Sequence, residues 1–361
     1  MKIALVAPPF LPVPPVRYGG TERVIGTLAT ELTRRGHDVT LFGPGDSTVP
    51  CRVVPVVANS LWASGWRGDG EPWYRRTAEM VAEHAHEFDV VHSHIDGFGF
   101  EATRATSTPW VTTLHGRLDM GPIVDHLAQY PEAGLVAISA NQRRQAPTAN
   151  WLATIHHGLD LADVPLGEGS GDYLAFVGRL APDKGVDDAI EVARRAGKLL
   201  VIAAKASEQE ETEVYDRHVA PAVDEGVARF VGELGGHARD RIFADALATL
   251  MLGDWPEPFG LVAIESLASG TPVIARRAGA LPEIVVDGVD GFVVDSMEEA
   301  AERVSRVPAL HRSQIRERTL RRFAADRMVA EYEAVYESLV SPLLGGRDGS
   351  ESGIKVGSAV T

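Results

Sequence analysis

The chain has 361 residues, with 35 basic and 50 acidic side chains and a formal net charge of −15. That length is too great for one ordinary core and suits two domains of roughly 150 residues each. The acidic balance argues against a nucleic-acid partner, because phosphate backbones are gripped by basic surfaces, and the lone cysteine, Cys51, excludes an intramolecular disulfide and fits a reducing cytoplasm.

In chain order, Lys2–Ala7 is a short, nearly all-apolar run closed by Pro8 and Pro9, the pattern of a buried parallel strand. A loop reaches Gly20, and Val24, Ile25, Leu28, Ala29 and Leu32 then recur at helical spacing to Arg35. Gly36 ends that helix and Asp38–Phe42 is the next strand, completing a βαβ unit. Trp73–Glu87 is expected to be helical. Phe88–His94, Trp110–Leu114, Gly134–Ser139 and Thr154–His156 are expected to be strands, with a short helix at Asn141–Gln145. Residues 161–171, rich in Gly, Pro and acid, read as a linker.

The alternation then restarts. Strands are expected at Tyr173–Val177, Leu199–Ala203, Arg229–Val231, Leu250–Leu252, Pro272–Ala275 and Gly291–Val294. Helices are expected at Gly185–Ala196, Asp240–Thr249, Gly260–Ser269, Leu281–Val285, Met297–Arg306 and Arg327–Leu339. Residues 345–361 have too little apolar content to pack and are expected to form a disordered tail. The opening apolar run is shorter than the roughly 7–15 residues of a signal-peptide core, and no stretch reaches the roughly 18 apolar residues of a membrane span. A cytoplasmic protein is therefore expected. Residues 1–165 are nearer neutral, at −4 against −11 for the rest, so the front half is the better candidate to meet an anionic acceptor or a membrane surface.

Ligands of parallel α/β sheets bind at the carboxyl ends of strands, and four loops stand out there. Tyr18-Gly19-Gly20-Thr21-Glu22 combines two glycines with a helix start, which suits close approach to phosphate; it also reads as a flexible loop with Thr21 as cap. Gly178 to Gly185 carries Arg179 and Lys184, which can stabilise a diphosphate without a metal, or stand as two solvated cations. Glu257-Pro258-Phe259-Gly260 leads into an apolar helix bearing Glu265. A carboxylate inside such a helix is costly unless it accepts hydrogen bonds, and ribose hydroxyls offer two donors. The alternative is an amphipathic helix with one exposed Glu, but Glu265 has no cation at helical spacing to explain it, which weakens that alternative. His115, in Thr113-Leu114-His115-Gly116, can contact a sugar hydroxyl or carry a proton, although a lone histidine is more often structural.

The pairs His92/His94 and His156/His157 lack the further ligands of a zinc site, so no metal is expected. Gly97-Phe98-Gly99 mimics a dinucleotide fingerprint but reads as a turn and helix start. Trp62, Trp66, Arg67, Trp73, Tyr74, Arg75 and Arg76 form an aromatic-basic stretch that lines an acceptor groove, touches an anionic surface, or simply packs around a loop.

Taken together, YGGTERV, TLHG, HGLD, VGRLAPDKG, EPFGLVAIESLASGTPVIA and GALPEIVVDGVDGFVV resemble family 4 of the retaining glycosyltransferases across nearly the whole chain. The resemblance implies an α/β GT-B fold, two Rossmann-like domains facing across a cleft. Residues 1–162 would bind the acceptor and 171–326 the nucleotide sugar, with helix 327–342 crossing back to the first domain. Arg179, Lys184, Gly19 and Gly20 would hold or approach the donor diphosphate. Glu257, Phe259 and Gly260 would hold the donor sugar, Glu265 the ribose, and His115 and Glu257 would serve catalysis. The donor would be UDP- or GDP-linked, no metal or other cofactor would be needed, and configuration would be retained, with front-face displacement thought to operate in many members. The acceptor would be a small molecule, a glycan or a lipid-linked compound, with peripheral membrane contact possible and no transmembrane segment. The compactness resembles short bacterial members that modify small natural products. Two positions depart from the family pattern: His157-Gly158, where Asn commonly precedes Gly, and Leu252-Gly253-Asp254-Trp255-Pro256, where a Pro-Ser-type turn is usual. A phosphorylase or epimerase on the same fold, or a non-catalytic nucleotide-binding scaffold, remains an alternative to transfer.

Overall fold

A computed structural model describes residues 1–345. The segment 345–361 therefore lies outside the described residues except for Gly345, which ends the last helix.

The first half builds a parallel sheet from β1 (Lys2–Val6), β2 (Asp38–Pro44), β3 (Arg52–Val57), β4 (Val90–Ser93), β5 (Trp110–Thr113), β6 (Gly134–Ala137) and β7 (Trp151–Thr154), in the order 3-2-1-4-5-6-7. Helices α1 (Gly20–Arg34), α2 (Glu71–His84), α3 (Phe100–Thr103), α4 (Gly121–Ala128) and α5 (Ala140–Gln145) connect these strands. The second half builds a six-stranded parallel sheet from β8 (Tyr173–Arg179), β9 (Leu199–Lys205), β10 (Ala228–Phe230), β11 (Ala248–Met251), β12 (Val273–Arg276) and β13 (Gly291–Val294), in the order 10-9-8-11-12-13. Its helices are α6 (Val186–Ala196), α7 (Gln209–Val214), α8 (Ala220–Asp224), α9 (Gly236–Asp245), α10 (Leu261–Ala268), α11 (Leu281–Ile284), α12 (Met297–Val304) and α13 (Arg312–Arg322). This is the expected pair of doubly wound α/β units. Each sheet reverses its winding direction once, at β1/β4 and at β8/β11, and such switch points are where ligands enter.

The core follows the sequence periodicity. Ile25, Leu28 and Leu32 of α1 are fully buried, and burial of each large aliphatic side chain contributes about 1.5–3 kcal/mol. The last helix, α14 (Ala325–Gly345), packs on α1 and β4 of the first sheet. Its Tyr332 and Tyr336 are wholly buried there. Phe259 and the apolar face of α10 share one cluster with α1 and α14, so the two halves meet through packed side chains.

Several local expectations fail for identifiable reasons. β3 went unrecognised because Pro55 interrupts it; it is an edge strand, where a missing N–H is tolerated. The helix expected at Asp240–Thr249 ends at Asp245, and Ala248–Met251 is β11. A run of four apolar residues does not by itself separate helix from buried strand. The strand near Thr154 begins earlier, at Trp151. α13 was hidden by its charge: of its eleven residues only Ile315 and Thr319 are buried.

Candidate functional site

The loops at the carboxyl ends of the two sheets enclose one cavity of about 370 Å³. Gly19, Gly20, His115, Arg179, Lys184, Glu257, Phe259, Gly260 and Glu265 all line it. Gly19 sits at φ 141°, and a side chain there would collide with Pro15 and with Glu22 Oε2, each 2.9 Å from a Cβ. A Cβ on Gly20 would lie 3.0 Å from Leu261 of α10, so the first-half loop runs directly against the start of the second-half helix. Gly260 caps α10 at φ 102°, a conformation that glycine adopts without strain. The N–H groups of Phe259 and Gly260 find no acceptor among the described residues, which leaves two oriented donors at a helix start.

The charged groups are held in pairs. Lys184 Nζ donates to Glu257 Oε2 at 2.8 Å and lies 3.7 Å from the centroid of Trp255. Trp255 Nε1 donates to the same oxygen at 3.1 Å. Arg179 ends β8, with Nη1 3.9 Å from Glu211 Oε1, and its guanidinium stands 6.0 Å from the Tyr18 ring. Lys205 ends β9, 3.6 Å from that same Glu211 oxygen. Glu211 is buried, and its other oxygen accepts from the N–H groups of Ser207 and Glu208. Glu211 thus anchors two cations at neighbouring strand tips.

Glu265 is 3% exposed. Its Oε1 is ion-paired with Arg23 from α1 of the first half and, at 2.9 Å, with Arg239 from α9. The sequence showed no cation at helical spacing because both partners come from other elements. Oε2 of Glu265 makes no hydrogen bond within the described residues, and Glu265 lines the same cavity.

The first half contributes Arg17, Arg23 and Arg117 to the cavity lining, together with a column of uncharged imidazoles. His157 stacks on His115 at 5.2 Å, His115 Nε2 lies 2.9 Å from His94 Nδ1, and the His94 ring lies 4.0 Å from that of His92, tilted by 41°. His92 bonds the Tyr336 hydroxyl at 2.7 Å and Thr113 at 2.8 Å. Burial pushes His115 and His92 down to about 3 and holds His94 and His157 well below the ordinary imidazole value. The column therefore acts through neutral rings that donate and accept hydrogen bonds. Two buried nitrogens in it, His94 Nε2 and His157 Nδ1, have no partner among the described residues.

Against this geometry, the Glycosyltransferase Family 4 model matches residues 18–163 and the Glycosyl transferases group 1 model matches residues 165–322. The chain belongs to family 4 of the glycosyltransferases. A D-inositol 3-phosphate glycosyltransferase of Mycolicibacterium smegmatis is 29% identical, the alignment covering 80% of this chain and 78% of that protein. AviGT4, a glycosyltransferase involved in avilamycin A biosynthesis, superposes with a TM-score of 0.67 at 26% identity, covering 94% of this chain and 98% of its own. HepE of Anabaena, solved in complex with UDP and glucose, shares the fold with a TM-score of 0.69 at 21% identity, over 94% of this chain and all of its own.

In this family 4 chain, both departures from the family motifs fall on the cavity. His157 extends the histidine column, and Trp255 covers Lys184. Sequence reading missed Arg23, Lys205, Glu211 and Arg239. Arg23 had a local signal, lying just past the Gly19-Gly20 loop; the other three carry none, because their roles arise from tertiary approach. Among the described residues no cluster of three or more His, Cys, Asp or Glu is arranged to hold a metal, and no helix is long and apolar enough to cross a membrane.

Proposed function

We propose that this glycosyltransferase moves a hexosyl group from a UDP- or GDP-linked sugar to an acceptor hydroxyl, with retention of configuration and without a metal ion. The observation that carries the reading is the convergence of Arg179, Lys184, Glu257 and Glu265 on one cavity at the switch points of two parallel sheets. Lys184 gives one N–H to Glu257 and keeps two for diphosphate oxygens. Arg179, only loosely paired, supplies a second cation, and the N–H groups of Phe259 and Gly260 add neutral donors. Such preorganised charge stabilises a leaving diphosphate directly. The Glu265 oxygen left over by Arg23 and Arg239 is an acceptor for ribose hydroxyls. Glu257, already ion-paired, accepts from sugar hydroxyls rather than attacking the anomeric carbon. That favours front-face displacement, in which the departing phosphate oxygen takes the acceptor's proton as the new glycosidic bond forms. Neutral His115 then orients a sugar hydroxyl.

A thermal-shift panel of UDP-, GDP-, ADP- and TDP-sugars, with and without EDTA, tests the donor and the metal together. A ligand at about 100 times its Kd adds about 2.7 kcal/mol of stability. The UDP- or GDP-sugar shift should persist in EDTA. Lys184→Ala should weaken donor binding by the about 1.5–3 kcal/mol of a charge-assisted bond. The reading fails if no nucleotide sugar shifts the wild-type chain, or if Lys184→Ala and Glu265→Ala both bind the donor normally. The Mycolicibacterium relative's name supplies one acceptor to try, D-inositol 3-phosphate.

A further inference from the structure

Beside the histidine column, the strand-tip loops of the first half carry an aromatic layer. Phe10 follows β1; Trp62 and Trp66 lie 5.7 and 5.9 Å from it, and Tyr74 of α2 lies 5.1 Å away edge-on. Phe98, in the turn after β4, stacks on Tyr74 at 4.5 Å with only 4° between the rings. Phe98 remains 36% exposed and Trp62 39% exposed. Their loops face the second half, since Arg67 reaches Glu208 at 3.7 Å.

Two acids stand beside both Tyr74 of this layer and the cavity-lining residues Gly19 and His115. Asp96 Oδ1 accepts from the His115 N–H at 3.2 Å. Glu22, 6% exposed, directs Oε2 at Gly19 and has no side-chain partner among the described residues. Both stand close enough to Tyr74 to raise its hydroxyl, whose burial is the larger cause. Burial raises Asp96 to about 6 and Glu22 to about 7, and no cation lies beside either to offset it.

We propose that Phe98, Tyr74 and Trp62, with Glu22 and Asp96, form the acceptor subsite, and that it selects an uncharged sugar or cyclitol ring over a phosphorylated one. This rests on the donor reading above. An aromatic face packs against the C–H face of a saturated ring, and carboxylates take its hydroxyls. A phosphate would meet uncompensated acids there, and juxtaposed like charges are strongly unfavourable. The relatives' name includes an inositol phosphate; the side chains here suit its neutral counterpart.

The test is calorimetric titration of the full chain with myo-inositol, maltose and D-inositol 3-phosphate, each with and without saturating UDP. At least one neutral ring should bind, with D-inositol 3-phosphate at least roughly tenfold weaker than myo-inositol. Phe98→Ala and Trp62→Ala should each weaken the neutral ring several-fold while UDP affinity stays within about twofold. Phe98→Tyr should restore binding, and Asp96→Asn should narrow the gap between phosphate and neutral ring. The proposal is overturned if D-inositol 3-phosphate binds as well as or better than myo-inositol, if no neutral ring binds, or if the platform variants leave affinity unchanged. Failure of UDP to bind, with neutral rings still sensitive to Phe98, would instead point to a GDP-linked donor, and failure of GDP as well would remove the donor reading alone.

Discussion

The two walls of the cavity solve the burial of polar groups in opposite ways. On the second-half wall every acid is matched to a cation or to N–H donors: Glu257 to Lys184, Glu265 to Arg23 and Arg239, Glu211 to Arg179, Lys205 and two backbone N–H groups. On the first-half wall the histidines stay neutral, and Glu22 and Asp96 are buried without a counter-charge. A wall of paired charges can exchange partners with an anionic ligand at little cost, since each cation retains spare donors. Neutral rings and unpaired acids offer hydrogen bonds and apolar faces, and negative charge placed against Glu22 or Asp96 is repelled, away from Arg17, Arg23 and Arg117 of the same lining. Under the proposed function, one cavity would thereby separate a diphosphate end from a hydroxyl-bearing end.

Glu265→Ala is the harshest way to break this contrast. It strands Arg239 and Arg23, and removing one partner of a buried pair costs about 3–5 kcal/mol. Arg23 keeps 24% of its side-chain surface in water, which places the expectation near the lower end. The melting temperature should fall by several degrees, and Glu265→Gln should recover part of the loss. An unchanged melting curve for Glu265→Ala would mean that the pairing on this wall is ornamental.

The first wall gives the opposite sign. Burial raises Glu22 from the ordinary 4.5 to about 7 in the folded chain. The folded state therefore holds this proton more tightly than the unfolded chain. The associated stability is present in full below about pH 4.5 and is lost as pH rises through about 7. A shift of that size corresponds to about 3 kcal/mol as an upper value. Glu22→Gln should be nearly neutral at pH 4.5 and stabilising at pH 8, by up to that amount. Tyr18 and Tyr74 are the other ionisable groups that feel Glu22, and both stay protonated across this range because burial raises them. Thermal melts of the two chains at both pH values decide it; a gap that does not widen with pH would show that Glu22 is solvated.

How much of this was legible beforehand follows from what is local. Four residues of the second-half wall lie on two short segments, 178–185 and 257–265, so spacing marked Arg179, Lys184, Glu257 and Glu265. The first-half wall draws His92 from β4, His94 from just beyond it, His115 from beyond β5 and His157 from beyond β7. Parallel strands far apart in sequence bring them together, and a histidine that owes its place to sheet order looks solitary in the chain. Arg239 and Lys205 were invisible for the same reason. The aromatic stretch was conspicuous, but only Phe10, which stood unremarked after β1, explains why Trp62, Trp66 and Tyr74 gather in one place.

Tyr336→Phe asks how firmly the histidine column is tied to α14. The hydroxyl bonds buried His92 Nδ1 at 2.7 Å. Its loss leaves that nitrogen without a partner, at a cost of about 1–3 kcal/mol. The variant should melt lower, with UDP affinity little changed, because the hydrogen bond and ring contacts of Tyr336 are with His92 and Tyr332. Equal losses of stability and of UDP affinity would show that the walls are coupled through the column.

The mildest variant probes whether the walls are joined at the entrance. Arg67 and Glu208 approach to 3.7 Å from opposite halves, yet both are about half exposed. Exposed pairs contribute about 0–1 kcal/mol because water screens them and two long side chains must be ordered. Arg67 also donates to the carbonyls of Trp62 and Trp66, so its main local role is to hold the aromatic loop. Arg67→Ala should leave the melting temperature within about one degree while loosening the loop that carries Trp62. Neutral-ring affinity should then fall slightly and UDP affinity not at all. A larger loss of UDP affinity would mean that the two walls close on each other through this contact, and that the contrast between them holds only when the entrance is shut.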